Sequence, residues 1–323
     1  MKRLISICVS LIILLIIYWK IDFQNLVQVL QNCNWWWMFI SQIIVVPIVA
    51  IAAWRLQQLT PTGKGLKFGE ANRLILAASV LNLILPSRLG DIAKAYFMKD
   101  KGHLSGELAL SLVVFEKASD LLALLMWCLF GLIIYPQKNQ LFAVMTVAVA
   151  VGVVGGLLLL GSRKFAQIFF LISKAIVPKK IKFKIDQLQI AWGRMHDYFW
   201  GDKIQLAKIS IAGIFLWFVN LLQIWFFILT LNAWTPLLDN LALAPLAILA
   251  GLLPLTFAGV GTRDAAFIIF YQPYFDASTG AALGILCMSR YLVPALGGLP
   301  FLGQYLTAIR GMNEKKFNSS DVE

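Results

Sequence analysis

Leu85-Pro86-Ser87-Arg88-Leu89-Gly90-Asp91-Ile92-Ala93-Lys94 breaks an apolar run with proline, glycine and charge. Far downstream Pro254-Leu255-Thr256-Phe257-Ala258-Gly259-Val260-Gly261-Thr262-Arg263-Asp264 does the same. Backbone freed at membrane depth is tolerated only where protein or a watery cavity surrounds it. The two breaks therefore read as walls of one transport site, and as hairpin tips at Pro86, Gly90, Pro254, Gly259 and Gly261.

The surrounding composition supplies the membrane. Of 323 residues, 60% are hydrophobic and only 14% charged, where soluble domains carry about a quarter. Apolar runs long enough for a hydrocarbon core of about 30 Å recur along the chain, without the alternation of a membrane barrel. The fold class expected is an all-α polytopic membrane protein forming a single domain over 1–323. About six full spans and two re-entrant helical hairpins are expected in it.

The spans run from about Leu4 to Trp19, Trp35 to Leu59, Glu107 to Tyr135, Leu141 to Gly161, Ile209 to Leu231 and Ser278 to Ile309. The first follows Met1-Lys2-Arg3 but lacks a small-x-small cleavage site, so it reads as a retained span. Trp35-Trp36-Trp37 suits an interfacial belt. The last stretch is too long for one straight crossing, and Pro294, Gly297, Gly298 and Pro300 predict a kink or break there.

Basic residues orient the chain. The segment Ser162 to Lys208 carries ten Lys or Arg against Asp186, Asp197 and Asp202, which fixes it in the cytoplasm by the positive-inside rule. Lys2, Arg3, the group Arg55, Lys64, Lys67 and Arg73, the pair Lys99 and Lys101, and Arg310, Lys315 and Lys316 fall on the same side. Only Lys20 and Lys138 lie in outer connections. Localisation is thus predicted as the plasma (cytoplasmic) membrane with both termini inside. Within the basic segment Leu188, Trp192, Met195 and Phe199 recur at helical spacing, predicting an amphipathic helix on the inner leaflet.

Span, hairpin, span occurs twice, the second time in the opposite sense. Paired Gly/Pro interruptions of this kind point to an inverted repeat of the transporter type. The first hairpin (about Leu74 to Met98) would dip in from the cytoplasm and the second (about Leu241 to Tyr271) from outside.

Charged groups inside apolar helices cost a few kcal/mol each, so they need partners or water. The candidate substrate-binding residues are Arg88, Asp91 and Lys94 at the first break, Glu116, Lys117 and Asp120 on the third span, Arg263 and Asp264 at the second break, and Arg290 on the last span. Glu116 and Asp120 share a helix face. They either neutralise Arg88, Lys94 or Arg290, or line a polar cavity that handles a ligand. Short helices starting after Gly90 and Gly261 would aim backbone N–H groups into the site, favouring an anion such as a lipid phosphate.

Other classes are excluded or disfavoured. The net charge of +12 is spread between apolar runs rather than in a recognition module, which argues against nucleic acid. Cys8, Cys33, Cys128 and Cys287 are scattered, and His103 and His196 are too few for a metal site. No catalytic residue, metal or cofactor is expected, and the chain reads as a non-enzyme.

The three charged stretches together resemble the membrane domain of the lysylphosphatidylglycerol synthase family, a flippase-like domain found fused to an aminoacyltransferase domain or standing alone. That family shows P-x-R-x-G-E with a basic residue soon after, S-x4-E-R-x2-D, and G-x-G-x-R-E. The corresponding residues here are Pro86 to Asp91 with Lys94, Ser111 to Glu116-Lys117 with Asp120, and Gly259 to Asp264. Asp91 and Asp264 stand in place of glutamates, and Lys117 in place of arginine, which removes a two-pronged phosphate contact.

The resemblance implies movement of an anionic or aminoacylated phospholipid between leaflets. The alternative is a non-transporting membrane partner that presents a lipid to a separate glycosyltransferase or synthase. With the chain stopping at Glu323, no aminoacylation by the chain itself is expected. The partners expected are a membrane lipid with an anionic head group and, among proteins, a second copy or a membrane enzyme.

Overall fold

The computed structural model describes residues 22–60, 66–84, 90–100, 104–136, 139–177, 179–252 and 261–320, and these are helical throughout. The helices are α1 (Phe23–Gln31), α2 (Trp35–Ile43), α3 (Val45–Leu59), α4 (Phe68–Ile84), α5 (Gly90–Asp100), α6 (Gly106–Ile134) and α7 (Gln140–Gly161). They continue as α8 (Arg163–Ile176), α9 (Lys179–Gly201), α10 (Lys203–Thr230), α11 (Leu237–Leu252), α12 (Thr262–Tyr271) and α13 (Ala277–Ser320).

Five helical segments are long and apolar enough to cross a membrane: Trp35–Leu59, Leu108–Ile134, Gln140–Gly161, Lys203–Thr230 and Ala277–Gly303. They coincide with five of the six expected spans. The first expected span, Leu4 to Trp19, lies outside the described residues.

Local chemistry sets several boundaries. Asn34 caps α2, its side chain accepting from the N–H of Trp36 at 3.1 Å, while its own N–H donates to Thr230 O at 2.7 Å. A cap of this kind satisfies donors that the first helical turn leaves open. The span then breaks at Ile44 and resumes as α3. Pro47 explains the break, because its ring crowds the carbonyl four residues back, at Ile43, and it has no N–H to donate.

The chain divides into two compact units. One comprises residues 1–48, 123–152 and 214–293, and the other 49–122, 153–213 and 294–323. Each contains one short helix pair: α4 packs on α5 in the second, and α11 on α12 in the first. The tips joining each pair, residues 85–89 and 253–260, lie outside the described residues, and with them Pro86, Arg88, Pro254 and Gly259.

Two expectations are corrected. α13 runs through Pro294 and Pro300 as one helix of 44 residues, so of the kink or break expected there the break does not occur. Each proline forfeits a backbone hydrogen bond and crowds the carbonyl four residues back, a cost that neighbouring groups in a membrane helix can absorb. The second correction concerns α9, whose Trp192, Met195 and Phe199 are buried rather than turned to a leaflet. Phe199 stacks on Phe115 of α6 at 4.2 Å between ring centres, and Phe170 of α8 closes on Trp192 at 6.1 Å. A periodic apolar face shows only that something covers it. Here the cover is protein, and it is α8 that leaves Ile168, Phe169, Leu171 and Ile172 exposed.

Candidate functional site

Among the described residues, the charged groups buried in the helices form two clusters, one in each unit. In the unit containing α5, the cluster is built on the first turn of α5 and the middle of α6. Gly90 opens α5 against α4 so closely that an added Cβ would meet the backbone nitrogen of Asn82 at 2.7 Å. Glycine is what lets the helix start there, and it sets Asp91 and Lys94 one turn apart, facing α6.

Lys94 is 2% exposed, and its ammonium donates to both oxygens of Glu116, at 2.9 and 2.8 Å. It also pairs with Asp91 Oδ1 at 3.1 Å. The other oxygen of Asp91 lies 2.9 Å from the ammonium of Lys117, which stands 4.0 Å from Asp120 Oδ2. Asp120 Oδ1 accepts from Arg55 Nη1. Arg55 Nη2 also donates to Ser119 Oγ at 2.9 Å and to the carbonyl of Glu116 at 3.3 Å.

The result is an alternating chain, Glu116, Lys94, Asp91, Lys117, Asp120, Arg55, with three cations and three carboxylates. Each isolated charge would cost several kcal/mol to desolvate, so the alternation is what permits their burial. The side chain of Lys117 is 44% exposed, whereas the other five range from 2% to 24%. The network is closed except at one position.

The second cluster sits at the start of α12 and on α13. Gly261, at φ 97°, precedes the helix in the left-handed region that favours glycine, and its N–H donates to Asp264 Oδ2 at 3.0 Å. Arg263 is 5% exposed. Its Nη2 donates to Asp264 Oδ1 at 2.9 Å, to the carbonyl of Gly284 at 3.1 Å, and toward Met288 Sδ at 3.2 Å. α13 approaches close enough that a Cβ at Gly284 would stand 2.6 Å from Asp264 Oδ1. On the same helix Arg290 donates to Asn220 Oδ1 of α10 and lies over the Tyr291 ring at 5.5 Å.

Asp91, Lys94, Glu116, Lys117 and Asp120 are therefore brought into one network, and Arg263 and Asp264 into one ion pair. Arg290 joins Asn220, while Arg88 lies outside the described residues. The sequence reading missed Arg55, assigning it to a cytoplasmic loop on the strength of its basic neighbours. It is 2% exposed on α3, and α10 makes room for it at Gly213, where a Cβ would lie 3.5 Å from the guanidinium carbon. The available signal was its place inside the apolar run Trp35–Leu59.

Comparison with known proteins covers nearly the whole chain. The family described as the lysylphosphatidylglycerol synthase TM region matches residues 3–298. A UPF0104 membrane protein of Methanocaldococcus jannaschii is 24% identical over 322 residues, covering 92% of this chain and 93% of its own length. No solved structure matches.

Proposed function

The chain belongs to the lysylphosphatidylglycerol synthase TM-region family, and from that membership we propose that it moves an anionic or aminoacylated phospholipid between the leaflets of the cytoplasmic membrane. The observation that carries this reading is the charge network on α3, α5 and α6. Six ionisable side chains in helices of this hydropathy are expensive to keep, and such groups mark substrate pathways more often than they stabilise a fold.

In this reading Arg88 and Arg263 bind phosphate at the two hairpin tips, while Glu116, Asp120 and Asp91 balance charge or engage a cationic substituent. The chain performs no covalent chemistry. Short helix pairs α4–α5 and α11–α12 act as re-entrant hairpins, one in each unit, as paired Gly/Pro interruptions of the transporter type suggest.

The test is leaflet exchange of fluorescent phosphatidylglycerol in liposomes holding the purified protein. R88Q and R263Q should each abolish exchange while the protein still expresses and inserts. Normal exchange in both variants would overturn the site assignment. Absence of exchange in the wild type, together with loss of a partner enzyme's activity on deletion, would instead make the protein a lipid-presenting partner.

A further inference from the structure

Within the network on α5 and α6, the two inner cations and the outer one hold different kinds of position. Lys94 and Arg55 are 2% and 3% exposed along their side chains, and each grips one side of the acidic groups from within. Lys94 takes Asp91 Oδ1 and both oxygens of Glu116, and Arg55 takes Asp120 Oδ1. The second oxygens, Asp91 Oδ2 and Asp120 Oδ2, meet at the ammonium of Lys117, at 2.9 and 4.0 Å.

Lys117 thus differs from its partners in being half exposed, on a four-carbon stem with three donors to place. With it the network is neutral. Among the described residues, without it three carboxylates face two cations.

We propose that Lys117 is an exchangeable internal counter-ion and a specificity-determining residue. Its ammonium occupies, in the lipid-free protein, the position between Asp91 and Asp120 that the primary ammonium of an amine-bearing lipid head group takes on binding. The inference rests on the lipid-handling reading above and deepens it. Lys94 and Arg55 remain in place during the exchange and keep the carboxylates oriented. A displaced Lys117 ammonium moves to the exposed side, into water.

Specificity follows from geometry. A primary ammonium has three donors to share between the two carboxylates, whereas a trimethylated head group has none, and a glycerol head group leaves Asp91 Oδ2 and Asp120 Oδ2 without the cation between them if Lys117 departs.

The experiment measures binding of three lipids to the purified full chain by native mass spectrometry: phosphatidylethanolamine, phosphatidylcholine and phosphatidylglycerol. The wild type should rank phosphatidylethanolamine above phosphatidylcholine. K117Q, which removes the internal competitor, should strengthen phosphatidylethanolamine binding about five-fold, the size of one half-exposed ion pair, without strengthening phosphatidylglycerol. K117R holds the acidic pair through a two-pronged guanidinium and should weaken phosphatidylethanolamine binding.

Equal effects of K117Q on all three lipids, or weakened phosphatidylethanolamine binding, overturn the proposal. Should K117Q not yield folded protein, K117R alone decides by the direction of its effect. Displacement of phosphatidylethanolamine by free ethanolamine supports the same ammonium position and shows that the amine suffices without its lipid. Failure of leaflet exchange with these binding shifts intact removes transport and leaves the Lys117 assignment standing.

Discussion

Lys94 is where the cost of the site is concentrated, because its ammonium is 2% exposed and holds two carboxylates at once. Replacing it by methionine keeps the packing volume but leaves Glu116 and Asp91 buried without their main cation. Breaking a buried pair from one side costs about 3–5 kcal/mol. K94M should therefore unfold markedly earlier in a thermal melt of the detergent-solubilised protein. K94M/E116Q, which removes charge on both sides, should recover a good part of the loss; a double variant no more stable than K94M would show that the pair is not coupled. The members of this network drawn from α5 and α6 could be read from the sequence, since charge inside apolar helices is conspicuous and three- and four-residue spacing puts it on one face. Arg55 could be suspected only from its place inside an apolar run; its pairing could not be read, because its partner Asp120 is 65 residues away and pairing over that distance leaves no local pattern. The internal closure of Arg263 on Asp264 was equally hidden, since adjacency in sequence does not say which way an arginine turns.

Among the elements, the long apolar helices follow the sequence closely because hydropathy and length alone decide them, as at Gln140–Gly161. Helix interruptions follow less well. Pro47 ends α2 four residues ahead of itself, whereas α13 passes through Pro294 and Pro300, so a proline signals a break only when the surrounding packing does not absorb it. The start of α13 carries a prediction of its own. Asp276 caps it, accepting from the N–H of Thr279 at 2.9 Å and from Asn25 Nδ2 of α1 at 2.7 Å. Partial burial would raise its pKa, but these hydrogen bonds to the carboxylate outweigh it and hold the group below its ordinary 3.8. A group whose pKa falls on folding stabilises the folded form above the unfolded pKa, and that contribution disappears as pH drops through the lowered value. Hydrogen exchange of the first turn of α13 should thus be equally protected at pH 7 and pH 5 and lose protection toward pH 3, after correction for intrinsic rates. D276N, which caps without titrating, should flatten the profile; an unchanged pH dependence in that variant would assign it to another group.

For the whole molecule, the direction of lipid entry depends on which side of the membrane the connections face. The segment from Ser162 to Lys208 contains ten basic residues, and it includes α8, α9 and the start of α10. The connection between α10 and α11, Leu231 to Pro236, contains none. A polytopic chain places its Lys and Arg on the cytoplasmic side, and connections joined by a single crossing must lie on opposite sides. α10 is the candidate for that crossing, since Lys203–Thr230 is long and apolar enough to span. Single cysteines at Lys164 and at Trp234, both exposed, should therefore label oppositely in a background lacking the native cysteines. An impermeant maleimide added to intact cells should modify K164C only after permeabilisation and W234C before it. The reverse pattern would invert the orientation and with it the assignment of the α4–α5 pair to cytoplasmic entry, and labelling of both sites in intact cells would mean that α10 does not cross. The charge network depends on this answer. With the cytoplasmic orientation, the half-exposed Lys117 of α6 stands, through its pairing with Asp91, beside the helix pair at which, on the proposed lipid-moving reading, a lipid made on the inner leaflet would first arrive. On that reading the exchange of its ammonium for that of the lipid is the entry step.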